Sequence, residues 1–218
     1  MRKLVRDWVR LLADTVPMPE PIVEFGSFQV EGMREVADLR PLFPGKRYLG
    51  TDLRAGPGVE CLLDLHRVGL RDETAGAILV LDTLEHVEFP RGAMEEIART
   101  LKPQGMFAVS SVMDFPIHEH PHDFWRFTPM GFESLLRSFP TRLVFALGRE
   151  DFPHTVLGLA WKSPQEAGIV AAVRRAMDPW SREWERRVRD DERRQRRKRL
   201  IPAPVRSTWR RLRQRQAR

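Results

Sequence analysis

Four short apolar runs, each closed by a glycine or an aspartate, constrain this chain more than any other feature. Ile22, Val23 and Phe25 lead into Gly26, Tyr48–Thr51 into Asp52, Val59–Leu63 into Asp64, and Ala77–Leu81 into Asp82. Runs of this length bounded by turn residues read as buried strands. Helical spacing over Val30–Leu42 and over 91–101 makes the pattern alternate, and alternation predicts a mainly parallel sheet covered by helices. The sharpest turn lies in Pro21–Gly32, where Gly26-Ser27 breaks the first run ahead of the expected helix. A strand that passes through glycine into a helix start lets the backbone approach a ligand with free N–H groups facing it.

The rest of the chain extends this pattern. Strands are expected at 22–25, 47–51, 59–63, 77–81 and 105–111. Leu101-Lys102-Pro103-Gln104-Gly105 is a helix stop, with lysine in the last turn followed by proline and glycine. Pro129–Ser138 reads as a helix with Phe132, Leu135, Leu136 and Phe139 apolar. The last two strands, Arg142–Leu147 and Thr155–Trp161, are separated by 7 residues. A parallel crossover needs a dozen or more, so they are expected to pair as an antiparallel hairpin. At the other end, Leu4, Trp8, Leu11 and Leu12 recur at helical spacing within 1–16, an amphipathic helix packed on the body. Val16–Pro21 is a stiff proline-rich connector.

Charge divides the chain. Its 218 residues carry a net +7, but 174–218 holds 18 Arg and Lys against 6 Asp and Glu, a balance of +12. The remainder is therefore −5, an acidic body joined to a basic extension. The expected organisation is an N-terminal helix over 1–16, one domain over 17–163, and a helical or partly disordered extension over 164–218. Arg186-Arg187, Arg193-Arg194 and Arg196–Arg199 could meet nucleic-acid phosphates or anionic lipid, although no nucleic-acid-binding motif accompanies them and a solvated extension is favoured. The single cysteine, Cys61, lies in an apolar run and reads as a buried free thiol. No apolar run approaches membrane-spanning length and no signal-peptide pattern opens the chain, so a cytoplasmic setting is expected.

Two carboxylates, Asp52 and Asp64, each end an apolar run downstream of the glycine turn. At the tip of a parallel strand, a carboxylate can accept from both hydroxyls of a ribose, and one strand further on from an adenine amino group. Either acid alone would read as a helix cap or loop residue; together they point to a nucleoside site. The spacing Gly26…Gly32 does not fit the Gly-x-Gly-x-x-Gly of dinucleotide sites, which argues against NAD.

In order, Glu24-Phe25-Gly26-Ser27, Gly50-Thr51-Asp52, Asp64-Leu65, Leu81-Asp82-Thr83-Leu84-Glu85-His86-Val87 and Leu101–Gly105 resemble the class I S-adenosylmethionine-dependent methyltransferases, within them the bacterial group acting on small molecules. The likeness covers about 21–161. It implies a Rossmann-like, doubly wound α/β fold with a seven-stranded sheet whose last strand is antiparallel. It implies S-adenosylmethionine as cofactor, with Glu24, Gly26 and Ser27 at its methionine end, Asp52 and Leu53 at the ribose, Asp64 and Leu65 at the adenine, and Asp82 near the amino group or the acceptor. One position departs from the pattern: Phe28 stands where the family usually has a second glycine. Phenylalanine tolerates positive φ poorly, which bears on cofactor affinity.

Phe115–Pro129 is the densest cluster of chemistry-bearing side chains, and three of the chain's six histidines lie in it, His118, His120 and His122. The resemblance places the acceptor pocket here. In one reading His118 or His122, oriented by Asp123, is a general base while Arg126, Trp125 and His86 contact the acceptor. In a second, His118, His120 and His122 bind a metal, but Pro121 interrupts their alternation, so no metal is expected. In a third, Asp123 and Arg126 form an internal ion pair locking the loop, with Trp125 and Phe127 in the core. The first is favoured modestly over the third. The chain is thus expected to be a methyltransferase for a small polar acceptor, such as a hydroxyl of a sugar or a secondary metabolite. The competing expectations are a catalytically silent cofactor-binding protein, motivated by Phe28, and an RNA- or membrane-associated protein acting through the basic tail. Oligomeric state is open.

Overall fold

The structure, a computed structural model of the chain, describes residues 1–118 and 122–200. Two compact units divide the chain at Met177 and Asp178. The first is built on one sheet of strands β1 (Ile22–Phe25), β2 (Tyr48–Asp52), β3 (Cys61–Leu62), β4 (Ala75–Leu81), β5 (Leu101–Val112), β6 (Thr141–Gly148) and β7 (Pro153–Trp161). Their order is β3-β2-β1-β4-β5-β7-β6. The first five run parallel, and β7 is antiparallel to both β5 and β6, as the short connection between the last two strands requires. The chain runs outward from β1 through β2 to β3, then returns to place β4 on the other side of β1. The switch of direction between β1 and β4 opens a crevice at their C-terminal ends, where open α/β sheets bind ligands.

Burial explains why these runs became strands. All seven residues of β4 and all four of β1, Glu24 included, are buried, as in a strand covered on both faces. Helix α1 (Lys3–Thr15) buries Leu4, Val5, Trp8, Val9 and Leu12, a wider stripe than the expected one, with Leu11 at its margin. Helix α3 (Pro90–Thr100) buries Ala93, Met94 and Ile97, and α4 (Pro129–Leu135) starts on the Thr128 hydroxyl, which accepts from the Gly131 N–H. Phe107 on β5 stacks on Phe139 with centroids 6.0 Å apart. No helix among the described residues is long and apolar enough to cross a membrane.

Three expectations fail locally. The helix expected over Val30–Leu42 is reduced to one turn, α2 (Arg34–Ala37), and a 3-10 turn at Arg40–Leu42. Gly32 takes φ +78 ahead of it, and the Asp38 carboxylate accepts from the Arg40 N–H, which bends the chain away from a helical path. The strand expected over 59–63 pairs only at Cys61 and Leu62, because Asp64 turns to bridge Arg67. Cys61 therefore sits on a two-residue edge strand and is half-exposed rather than buried.

The second unit carries the remainder of helix α5 (Ala167–Leu200), whose side chains pair along the helix: Glu183 with Arg186 and Arg187, and Glu185 with Arg189. The segment 201–218 lies outside the described residues, as do the side chains of Arg194 and of the arginine cluster at 196–199.

Glu24 is the acid held inside the sheet. It is buried on β1, where the Tyr48 hydroxyl donates to it at 2.7 Å. Burial pushes its carboxyl up to about 7, against the opposing pull of the Tyr48 bond. A carboxyl raised above its unfolded value gives stability that is present at low pH and lost as pH climbs from about 4.5 through 7. Glu24→Gln keeps an acceptor for Tyr48, and its stability relative to the native chain should improve between pH 5 and 8 by roughly 3 kcal/mol at most. Urea unfolding at the two pH values measures this; parallel pH profiles would contradict it.

Candidate functional site

A cleft of about 180 Å³ opens where β1, β2, β3 and β4 end. Gly26, Asp52, Leu53, Asp64 and Leu65 all line it, so five of the residues assigned to a nucleoside ligand meet in one hollow. Phe28, Arg54, Thr83, His86 and Val87 complete much of the wall.

The floor is a tight turn. Gly26 has φ +84, and its N–H and that of Ser27 both donate to the Thr51 carbonyl. A Cβ at position 26 would stand 2.1 Å from the Thr83 hydroxyl oxygen, so only glycine fits between the two strand ends. Phe28 is not among the residues with positive φ. The loop therefore does not ask of phenylalanine the conformation it resists, and its ring becomes a wall of the cleft, with the Arg54 guanidinium 4.6 Å from its centroid.

The acids differ in setting. Asp52 accepts from the Phe28 N–H at 3.3 Å on one oxygen and from the Arg54 N–H at 3.0 Å on the other. A carboxylate offers about four lone-pair sites, so both oxygens retain capacity for hydroxyl donors. Asp64 is half-exposed and holds His66 through its N–H at 2.8 Å and its ring Nδ1 at 2.7 Å. Leu53, Leu63 and Leu65 supply apolar walls between the carboxylates. Nothing in a single sequence run marks Arg54, Leu63 or His66 as wall residues; Phe28 stood out only as the departure in the glycine turn.

Glu24, Ser27 and Asp82 do not line the cleft. Glu24 faces Tyr48, and the buried Ser27 hydroxyl donates to the Gly58 carbonyl at 3.0 Å. Asp82, with φ +47, is gripped by Arg2, whose backbone N–H, Nε and terminal nitrogen reach it at 3.2, 3.0 and 2.8 Å, and by the Ser110 hydroxyl at 3.0 Å. Burial alone would push the Asp82 carboxyl up, but these donors, Arg2 foremost, hold it below its ordinary value. The same arginine donates to the Thr155 hydroxyl at 2.6 Å, tying the start of α1 to the ends of β4 and β7.

A second group of side chains adjoins the cleft at His86. Glu85 is fully buried, and burial together with the neighbouring Asp82 pushes its carboxyl up to about 7. The rings of His86 and His118 meet edge to face with centroids 4.9 Å apart, and Phe115 packs on His118 at the same distance. Asp123, its side chain 2% exposed, is the anchor of this loop. Arg126 forks onto it at 2.5 and 2.8 Å, and the His118 N–H donates to it at 2.7 Å. The Arg126 guanidinium, ahead of burial's opposing effect, holds the Asp123 carboxyl well below the usual carboxylate range. Its remaining donors go to the carbonyls of Phe115, Pro116 and Trp125, so Arg126 ties the loop together as the ion-pair reading described. Trp125 is half-exposed, its indole N–H donating to the Val87 carbonyl at 3.0 Å, while Phe127 is buried. The His122 carbonyl meets His86 Nδ1 and its ring packs on Phe124. His120 lies outside the described residues.

Residues 44–109 match a family model described as a methyltransferase domain. Several solved structures share the fold. The 1,6-didemethyltoxoflavin-N1-methyltransferase of Burkholderia thailandensis, solved with 1,6-didemethyltoxoflavin and S-adenosylhomocysteine, is 18% identical over 74% of this chain and 79% of its own, with a TM-score of 0.56. A SAM-dependent methyltransferase from Archaeoglobus fulgidus is 12% identical over 74% and 95%, TM-score 0.55. A putative methyltransferase of Haloferax volcanii, in complex with the activator Trm112, is 16% identical over 75% and 91%, TM-score 0.53. No curated protein sequence matches the chain.

Proposed function

We propose that the chain is a class I S-adenosylmethionine-dependent methyltransferase, a reading supported by the methyltransferase-domain match over residues 44–109 and by the shared fold, and that it transfers the methyl group to a small polar acceptor held between the cleft and the His86–His118 corner. The observation that carries this reading is the meeting of Gly26, Asp52 and Asp64 in one cleft that has His86 on its wall. The cleft residues fit the cofactor chemically. Only glycine fits at position 26, Asp52 keeps acceptor sites on both oxygens for the ribose hydroxyls, and Asp64 with Leu65 offers an acceptor and an apolar face for a purine.

When bound, the sulfonium supplies an electrophilic methyl that passes to an acceptor lone pair and leaves a neutral thioether. The protein's part is alignment in a site that excludes water. The groups able to take up a proton gather at Glu85, His86 and His118, so a hydroxyl acceptor would lose its proton there. Asp123 and Arg126 act as positioning residues, fixing the loop on which His118 rides. The test is labelled methyl transfer across a panel of alcohol, phenol and amine acceptors. His118→Ala should lower turnover by about 10²–10⁴-fold on a hydroxyl acceptor while cofactor affinity changes little. Equal loss of cofactor affinity would place His118 elsewhere, and no transfer to any acceptor would favour a silent cofactor-binding protein.

A further inference from the structure

Glu85, His86 and His118 each bring one ligand atom, a carboxylate oxygen or a ring nitrogen, to within 4.8 Å of the other two. Glu85 and His86 are neighbours in the 3-10 turn after β4 and His118 comes from the loop after β5, so the meeting of His118 with the other two is a product of the fold. This is a different set from the His118, His120 and His122 suggested by spacing alone.

Two further observations say what the cluster is built to hold. Glu85 is fully buried, and although one of its oxygens accepts from the Ser111 hydroxyl at 2.7 Å, the other has no hydrogen-bond partner among the described residues. A buried carboxylate oxygen without a donor is costly, and such an atom points to a positive group that completes it. The histidines, meanwhile, are oriented from behind. His86 Nδ1 meets the His122 carbonyl, and His118 Nδ1 lies 3.2 Å from the Pro116 carbonyl and 3.2 Å from an Asp123 oxygen. All of these partners are acceptors, which calls for a proton on Nδ1 of each ring. Imidazoles that bind metals are held in this way, with the second nitrogen donating to a carbonyl or carboxylate that fixes the tautomer and the ring plane. Asp123 is itself locked by Arg126, so this backing is rigid.

We propose that Glu85, His86 and His118 form a binding site for one divalent transition-metal ion. Two imidazoles and one carboxylate suit zinc, iron, cobalt or nickel rather than the all-oxygen shells of magnesium and calcium. Metal bonds of about 2.0–2.1 Å require ligand atoms roughly 3–3.5 Å apart, so small side-chain rotations would close the cluster on an ion. Three protein ligands leave a coordination position open. With the ion bound, Glu85, His86 and His118 would hold the metal instead of taking up the acceptor's proton; the use of the open position, holding an oxygen or nitrogen atom of the acceptor beside the cleft, rests on the methyl-transfer reading, whereas the metal site itself does not.

Titration of Co²⁺ into the chelator-treated full chain tests this, followed by visible d–d absorption and by calorimetry, with Zn²⁺ as competitor. One Co²⁺ per chain is expected, displaced by Zn²⁺, with His118→Ala and His86→Ala each weakening binding at least about tenfold. Glu85→Gln alters a buried side chain and could fail to fold, so the two histidine variants, checked by thermal melting, carry the test. No spectral change up to millimolar Co²⁺, or unchanged binding in both histidine variants, would overturn the site. A chain that binds S-adenosylmethionine but no cobalt refutes the metal site alone, whereas one that binds cobalt but no S-adenosylmethionine refutes the methyl-transfer reading alone.

Discussion

Asp52→Ala is expected to weaken S-adenosylmethionine binding by about 10–100-fold, the equivalent of losing one to two charge-assisted hydrogen bonds. The carboxylate sits at the end of β2 on the wall of the cleft, with lone pairs left on both oxygens after the Phe28 and Arg54 N–H groups are served. Truncation removes the acceptor and also frees those two N–H groups, so the loop carrying Phe28 should loosen as well. Asp52→Asn separates the two effects. It preserves the shape of the side chain and one acceptor oxygen, and an intermediate loss of affinity is expected. Calorimetry with the cofactor, alongside thermal melting without it, gives both numbers. Affinity of Asp52→Ala within twofold of the native chain would show that this acid does not hold the ligand.

Gly26→Ala should cost roughly 2–5 kcal/mol of stability and abolish measurable cofactor binding. Two physical penalties combine. The residue has φ +84, a backbone conformation that costs an L side chain roughly 1–2 kcal/mol, and the new methyl would lie 2.1 Å from the Thr83 hydroxyl oxygen, an overpacking worth typically 1–3 kcal/mol. The double variant Gly26→Ala/Thr83→Ala tells them apart. It removes the two Thr83 atoms at 2.1 and 3.0 Å, leaving only the one at 3.1 Å, so most of the steric part should return while the backbone part persists. Chemical unfolding of the two single variants and the double one closes the cycle. A fully stable Gly26→Ala would mean that the turn at the end of β1 relaxes freely and that the cleft floor does not require glycine.

The fold was legible along the chain to an unusual depth for particular reasons. β1 and β4 are covered on both faces, so β4 reads as an unbroken apolar run and β1 as one interrupted only by Glu24. The antiparallel pairing of β6 and β7 follows from chain length alone, since their connection is too short to cross over. Where burial is incomplete the signal fades. The strand at Cys61–Leu62 lies on the sheet edge, and the short α2 buries no residue, so at both places local turn chemistry overrode the apolar pattern.

The candidate site divides along the same line. The sequence by itself determined which strand ends would carry Gly26, Asp52 and Asp64, because alternation of strands and helices places successive strand tips on one edge of a parallel sheet. Only the tertiary structure decided what those side chains face. The Asp123–Arg126 pair, three residues apart, was already one reading of the loop, whereas Arg2, 80 positions away, takes Asp82, and a turn and a loop from different strands bring Glu85 to His118. Contacts of this kind depend on how distant segments pack, and side-chain partners at long separation leave no periodic trace in the chain from which they could be read.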